Sequence, residues 1–372
     1  MTERSIETKL AQLGSYSDKA TGAVNPPIFL STAYKHEGLG RSTGYDYSRT
    51  KNPTRYLLES AFADLEGGDG AYACSSGMAA IQLIFSLFRS GDELIVTEDI
   101  YGGTYRLLDL YAENYQIQTS YSDFSDLAQT EQLITGNTKA ILLETPTNPL
   151  MQEVDIQQIA ELARKHQLLV IVDNTFLTPY LQRPLELGAD IVIHSATKYI
   201  GGHNDVLAGL VAAKGPKLCE QLAMIHNASG GVLSPFDSWL LIRGLKTLSL
   251  RMEKHQQNAQ EIAAFLREQP EIADVLYPGK GGMLSFRLQQ SEWVDSFLQQ
   301  LQLITFAESL GGVESFITYP ATQTHADIPV AERVRRGVDD RLLRFSVGIE
   351  QAHDLKQDLK QALSVLAKES RL

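Results

Sequence analysis

Two residues of this chain have the type and placement to hold an organic cofactor and draw on its chemistry. Lys198 stands in Ile193-His194-Ser195-Ala196-Thr197-Lys198-Tyr199, and Asp173 in Val170-Ile171-Val172-Asp173-Asn174-Thr175. Each closes an apolar, strand-like run, so both can sit at the carboxyl edge of one sheet. A lone lysine after a strand is ordinarily a solvated surface residue. The Ser-Ala-Thr-Lys context and the strand-end aspartate argue against that reading here. An amine and a carboxylate brought together in this way are what pyridoxal 5'-phosphate (PLP) needs. The lysine forms a Schiff base with the cofactor aldehyde. The carboxylate keeps the pyridine nitrogen protonated, so that the ring accepts the electrons of a substrate carbanion.

The elements that must position this pair are legible around it. Residues 93–97, 140–144, 168–173 and 190–195 are short β-branched or leucine-rich runs, and helical stretches fall between several of them. One is 156–166 behind Asp155 as its cap, and another starts at Arg55 with Leu57, Leu58, Ala61, Phe62 and Leu65 on one face. Fully apolar strands alternating with helices predict an α/β fold, a mainly parallel central sheet with helices on both faces. Ligands bind such sheets at the carboxyl ends of the strands. Residues 1–50, rich in Ser, Thr, Gly and Tyr, read as an irregular arm that must lie against something else. Residues 51–240 read as the large domain. Residues 237–269 read as nearly continuous helix, with Gly244 its weak point and Pro270 its stop; at 1.5 Å per residue it would span about 50 Å. The remainder, 241–372, reads as a smaller α+β C-terminal domain entered through that helix.

Composition narrows the functional class. At 372 residues, with 43% hydrophobic and 21% charged residues, the chain suits a two-domain globular enzyme. A formal net charge of −12 and the lack of a basic stripe argue against nucleic acid as a partner. The two cysteines, Cys74 and Cys219, form no CxxC and no metal-ligand spacing, which fits reduced thiols and no metal site. Residues 1–8 lack an apolar signal core, and no run reaches the roughly 18 apolar residues of a membrane span. A cytoplasmic enzyme acting on small molecules is the expectation.

Further segments suit a phosphorylated ring. Ser75-Ser76-Gly77-Met78-Ala79-Ala80 precedes an apolar helix over 81–88, where exposed backbone N–H groups and the helix dipole favour an anion. The same residues are also ordinary helix caps. Ser195 and Thr197 can add hydroxyl donors. Tyr101, followed by Gly102-Gly103 as flexible residues, offers a ring to stack on the pyridine. Asn148, in Thr147-Asn148-Pro149, can donate to the cofactor 3'-oxygen, although Asn-Pro also favours turns on its own account. His194 reads as a packing or hydrogen-bonding residue, since no Gly-x-Ser-x-Gly elbow supports a hydrolase. His203 and His325 read as loop residues, and Cys74 as a small buried thiol.

In chain order, Asp46-Tyr47-Ser48-Arg49, Asn52-Pro53-Thr54-Arg55, Ser75 to Ala80, Tyr101 to Arg106, Glu144 to Pro149, Val172 to Thr175, Ser195 to Tyr199 and Glu308-Ser309-Leu310-Gly311-Gly312 resemble the Cys/Met-metabolism family of PLP enzymes. The likeness covers essentially the whole chain. Within the family it is strongest to the bacillus-type cystathionine γ-synthase branch with O-acetylhomoserine thiol-lyase activity. The resemblance implies PLP fold type I and a homotetramer of two tight dimers. It assigns Lys198 to the Schiff base, Asp173 to the ring nitrogen and Tyr101 to stacking. Gly77, Met78, Ser195 and Thr197 become phosphate contacts, and Tyr47 and Arg49 would reach the phosphate in a neighbouring subunit. Arg344 would grip the substrate α-carboxylate, assisted by Ser309 and Asn148.

Arg106 can meet an acyl or distal carboxylate group, and Glu308 matches a position associated with γ-carbon chemistry in the family, although an acid beside Ser309 also reads as a surface or capping residue. Methionine γ-lyases commonly carry cysteine where this chain has Gly103. The expectation is therefore γ-replacement on an O-acylhomoserine, with cysteine giving cystathionine or sulfide giving homocysteine. A cystathionine β- or γ-lyase is the alternative, and a non-catalytic PLP-binding protein the remote one.

Overall fold

Two sheets organise the chain, described over residues 4–369 of this computed structural model. Residues 1–3, where the expected arm and the stretch read for a signal core begin, and residues 370–372 of the expected C-terminal domain lie outside the described residues.

The larger sheet has seven strands: β1 (Gly70–Cys74), β2 (Glu93–Thr97), β3 (Gln118–Ser122), β4 (Thr138–Glu144), β5 (Leu169–Asp173), β6 (Ile191–Ser195) and β7 (Gly209–Ala213). Their order is β1-β7-β6-β5-β4-β2-β3. Strands β6, β5, β4, β2 and β3 run parallel, and β7 alone is antiparallel to both of its neighbours. The expected mainly parallel sheet is therefore present, with one reversed strand that the sequence reading passed over. Alternation along β5 explains its unbroken apolar run. Val170 and Val172 enter one core while Ile171 enters the core on the opposite face, so neither face has a polar side.

The flanking helices start where capping chemistry allows. Helix Pro53–Glu66 begins two residues before the expected Arg55, because Asn52 accepts from Thr54 N (2.9 Å) and Arg55 N (3.3 Å) and Pro53 fills the first position. Helix Ile156–His166 has the expected bounds, and Asp155 Oδ1 accepts from Gln158 N at 3.1 Å.

The single long helix expected over 237–269 is two helices, Pro235–Leu245 and Leu248–Arg267. In a continuous helix the Gly244 carbonyl would accept from Leu248 N–H. Here it accepts instead from Thr247 N (3.2 Å) and from the buried Arg251 Nη2 (2.7 Å). Arg251 also donates to Tyr199 O (2.6 Å), so the break ties the second helix to the turn that carries Lys198. The break falls just after Gly244, the weak point read in the sequence, and the contacts that fix it are tertiary.

The smaller sheet contains β8 (Ile272–Leu276), β9 (Met283–Leu288), β10 (Thr305–Phe306), β11 (Phe316–Thr318) and β12 (Leu342–Ser346). Its order is β10-β11-β12-β9-β8, antiparallel except between β10 and β11. Phe286, Phe297, Phe345 and Leu359 fill the core between this sheet and its helices, including Ala352–Glu369. Among the described residues no helix is long and apolar enough to cross a membrane.

Candidate active site

At the carboxyl edge of the larger sheet, the strand ends converge on a cavity of about 210 Å³. Asp173 ends β5 and Ser195 ends β6, which pair in parallel register. Lys198 follows in a turn closed by Lys198 N to Ser195 O (3.2 Å) and Gly201 N to Ala196 O (2.9 Å). Lys198 and Asp173 both line the cavity, so adjacency of the two strands brings the amine and carboxylate together.

Their surroundings set their charge states. Burial lowers Lys198 to a pKa of about 8, Arg344 adds to the effect, and Glu308 partly offsets it. Burial raises Asp173 above the ordinary aspartate range, while hydrogen bonds from Thr175 oppose the rise. Asp173 Oδ1 accepts from Thr175 N (3.0 Å) and Thr175 Oγ1 (2.6 Å). No lysine or arginine forms an ion pair with Asp173 among the described residues.

The phosphate-type turn is built more tightly than the sequence suggested. Its helix is Gly77–Phe85, starting earlier and ending earlier than the expected 81–88, because Ser76 caps it by accepting from Ala79 N at 3.0 Å. A Cβ on Gly77 would lie 3.0 Å from both Cβ and Oγ of Ser195. Only a residue without a side chain leaves the space between these two segments open. Gly77, Met78, Ser195 and Thr197 all line the cavity.

Tyr101 also lines it, at the N-cap of helix Gly102–Tyr115. The glycines after it are packed helix residues, which corrects the expected flexible loop. A Cβ on Gly102 would meet Thr324 O at 2.3 Å, and one on Gly103 would meet the Tyr101 ring at 2.5 Å.

Arg344 enters from β12 and is 2% exposed. Its Nη1 donates to Asn148 Oδ1 (2.9 Å), and Nη2 to Ser309 O and Thr318 Oγ1 (both 3.1 Å). Its Nε–H has no partner among the described residues. Burial lowers this guanidinium to about 10, so it remains a cation at neutral pH. Asn148 uses its amide oxygen on Arg344, which leaves the amide N–H groups for a ligand oxygen. Glu308 and Ser309 line the same cavity.

Three expected site residues lie elsewhere. Tyr47 is half exposed, and Arg49 donates to Asn227 Oδ1 at 2.9 Å, with its guanidinium 5.7 Å from the Tyr47 ring. Neither lines this chain's cavity. Arg106 is exposed, pairs with Asp327, and also lies outside the lining.

The histidine readings divide. His194 is fully buried, with Nε2 2.6 Å from Glu66 Oε1, as expected of a packing residue. His203 sits in a loop with Nδ1 2.8 Å from Gly201 O. His325 is in a loop yet 2% exposed, with Nε2 3.1 Å from Asn148 O, and burial lowers it to about 4. Cys74 is buried, and its thiol is pushed up to about 12, which keeps it inert.

Sequence reasoning missed Glu144 and Thr175, both in the lining. The available signal was an acid closing β4, one strand over from Asp173.

The pattern of the family described as Cys/Met metabolism PLP-dependent enzyme matches residues 7–364. The chain belongs to this family. It is 67% identical over 358 residues to the cystathionine gamma-synthase/O-acetylhomoserine (thiol)-lyase of Bacillus subtilis, covering 96% of each. It is 62% identical to the cystathionine gamma-synthase of Haemophilus influenzae, over 98% of this chain and 100% of that one. The solved cystathionine gamma synthase of Xanthomonas oryzae pv. oryzae in complex with cystathionine superposes with a TM-score of 0.95, at 42% identity and 98% coverage of both chains. The fold is PLP fold type I, and the cofactor is PLP.

Within that family the cavity fits its cofactor. The space against Gly77, an amine whose pKa is lowered to about 8 and a carboxylate with no lysine or arginine ion pair among the described residues suit a phosphate, an aldehyde and a pyridinium nitrogen. Bound there, PLP supplies an aldehyde that a lysine can hold and a ring that takes up the electron pair left when a Cα–H bond ionises.

Proposed function

We propose that the chain catalyses γ-replacement on an O-acylhomoserine, with O-acetylhomoserine as donor and cysteine as acceptor, giving cystathionine in methionine biosynthesis. Sulfide is the second acceptor and gives homocysteine. Identities of 67% and 62% with relatives carrying the γ-synthase name support this reading. The observation that carries it is the shared cavity of Lys198, Asp173, Arg344 and Glu308.

Each residue then has a task. Arg344 and Asn148 hold the substrate α-carboxylate and fix Cα over Lys198. Asp173 keeps the proton on the ring nitrogen, and Tyr101 stacks against the ring. Gly77, Met78, Ser195 and Thr197 bind the phosphate. Lys198 takes the Cα proton and, once it has handed that proton on and is again a neutral amine, would take a Cβ proton, so that the acyloxy group can leave Cγ with the bonding pair. The thiol gives up its proton as its sulfur bonds to Cγ; two protons return to Cβ and Cα, and the third leaves with the released carboxylate. A lysine whose pKa is near 8 can accept and return protons at neutral pH. Glu308 stands beside it, with Ser309 next to the carboxylate grip. Arg106, paired with Asp327 three residues beyond the cavity-lining Thr324, meets the acyl end.

The reading extends to assembly. Residues 1–50 serve as an arm, 51–240 as the PLP domain and 241–372 as the C-terminal domain, in a cytoplasmic homotetramer. Tyr47 and Arg49 complete a neighbouring subunit's phosphate site. Leu30 and Leu39, 73% and 104% exposed on this arm, support a partner surface there. Two unpaired cysteines suit a reducing compartment.

The test is a product assay with O-acetylhomoserine, with and without cysteine, and with cystathionine alone. Cystathionine formed only when both substrates are present is the expected result. Pyruvate or 2-oxobutyrate from cystathionine, without synthesis, would make the protein a lyase.

A further inference from the structure

Strand β4 ends in Glu144, and its register partner on β5 is Asp173. Paired residues of adjacent strands project to the same face, so two carboxyls stand side by side at the edge of the cavity. Glu144 is 7% exposed, and its Oε2 accepts from the backbone N–H of Tyr101 at 3.0 Å. Tyr101 begins helix Gly102–Tyr115 without a side-chain cap of its own. Glu144 thus supplies, from a neighbouring strand, the contact that a capping-box glutamate makes from within its own helix.

Two adjacent carboxylates withdrawn from water do not both ionise readily. Each accepts two hydrogen bonds, but Asp173 is the better supported anion, because His194 favours its charge whereas Glu144 faces a second acid in Asp99. Glu144 faces Asp173, Asp99 and the Arg344 guanidinium, as well as the backbone amides of Tyr101 and Asn148. Asp99 is itself 5% exposed and accepts from Leu150 N at 3.1 Å. Burial first, and Asp173 second, push the Glu144 carboxyl well above its ordinary range.

We infer that Glu144 is a positioning residue: its carboxyl oxygen fixes the Tyr101 backbone and so sets the Tyr101 ring over the cavity. This rests on the stacking role proposed for Tyr101, and it explains why an acid closes β4 where the neighbouring acid already serves the cofactor.

The test compares holoenzyme variants by steady-state kinetics and by the cofactor absorbance spectrum. Glu144→Gln keeps an acceptor without charge and should hold kcat/KM within about threefold of the parent. Glu144→Leu, of similar volume but with no acceptor, should lower kcat/KM by about 10- to 100-fold and shift the spectrum. Where the leucine variant fails to fold, Glu144→Ala takes its place. In a Tyr101→Ala background the same loss should shrink to about twofold, since coupled residues are not additive.

A leucine variant with parental kinetics and spectrum would overturn the inference. So would a loss undiminished in the Tyr101→Ala background, or a glutamine variant as damaged as the leucine one. Tyr101→Ala with full activity would instead remove the stacking role, and this inference with it.

Discussion

The seven-stranded sheet reaches the cavity with the ends of its strands, whereas the five-stranded sheet reaches it with the middle of β12. Lys198, Asp173, Tyr101 and the Gly77 turn all follow or close strands of the first sheet. Parallel strands stop together there, and the turns that follow are free to carry varied chemistry. Arg344, in contrast, is locked within a ladder between Thr318 on β11 and Ser285 on β9. One of those ladder partners, Thr318, also accepts a hydrogen bond from its guanidinium. The first sheet presents the groups proposed to hold the cofactor and move protons. The second presents a cation whose direction is fixed on both sides, together with Glu308 and Ser309, which follow β10. If the proposed roles hold, cofactor chemistry and substrate orientation are separable, and mutations should divide along the same line.

The largest effect expected is from Lys198→Ala. It should lower turnover by about 10⁴-fold and remove the absorbance band of the lysine-bound cofactor, read by spectrophotometry. Retained activity would break the comparison at its centre. Asp173→Asn should still bind PLP but lower kcat by about 10²- to 10³-fold, because the developing charge on the ring loses its fixed partner.

Arg344→Lys tests the other sheet. Losing the planar fork should raise KM by about 10- to 100-fold, with a smaller change in kcat. A pure kcat effect would show that the two sheets do not divide the work.

Cofactor uptake by the apo-protein gives a smaller and graded signal. The Lys198 pKa is depressed to about 8, so the reactive neutral amine is the minor form below that pH and the major form above it. Uptake should therefore quicken about tenfold between pH 7 and 9, followed by stopped-flow absorbance. A flat profile would mean that Lys198 is not held as described. The smallest effect belongs to Arg106→Ala. Its exposed pair with Asp327 should contribute less than about 1 kcal/mol to stability, measured by denaturant titration, so any large change must appear in acyl-donor kinetics.

Legibility followed the range of the forces involved. Strand β5 could be read because both faces are buried, and Asp155 because a cap acts on the next turn. The kink at 246–247 was hidden, because its cause is Arg251 reaching back to Gly244 and across to Tyr199. His325 was read as a loop residue, and its burial against Asn148 depends on a contact 177 positions away. Glu144 drew no reading of its own, since nothing local shows that Tyr101 will place a backbone N–H on it.

The sequence by itself determined the chemistry available: an amine, an aspartate, a ring and small residues before a helix, in an order that resembles the family, which in turn implied Arg344. Those are properties of residue type and short-range spacing, which hydrophobic periodicity and capping make readable. Only the tertiary structure decided which of them meet. It placed Lys198, Asp173 and Arg344 around one cavity and left Tyr47, Arg49 and Arg106 outside its lining. The physical reason is that convergence at a sheet edge comes from strand order and from packing between the two sheets. Both are set by contacts between residues far apart in the chain, and so is the low-dielectric setting that brings Lys198 near neutrality.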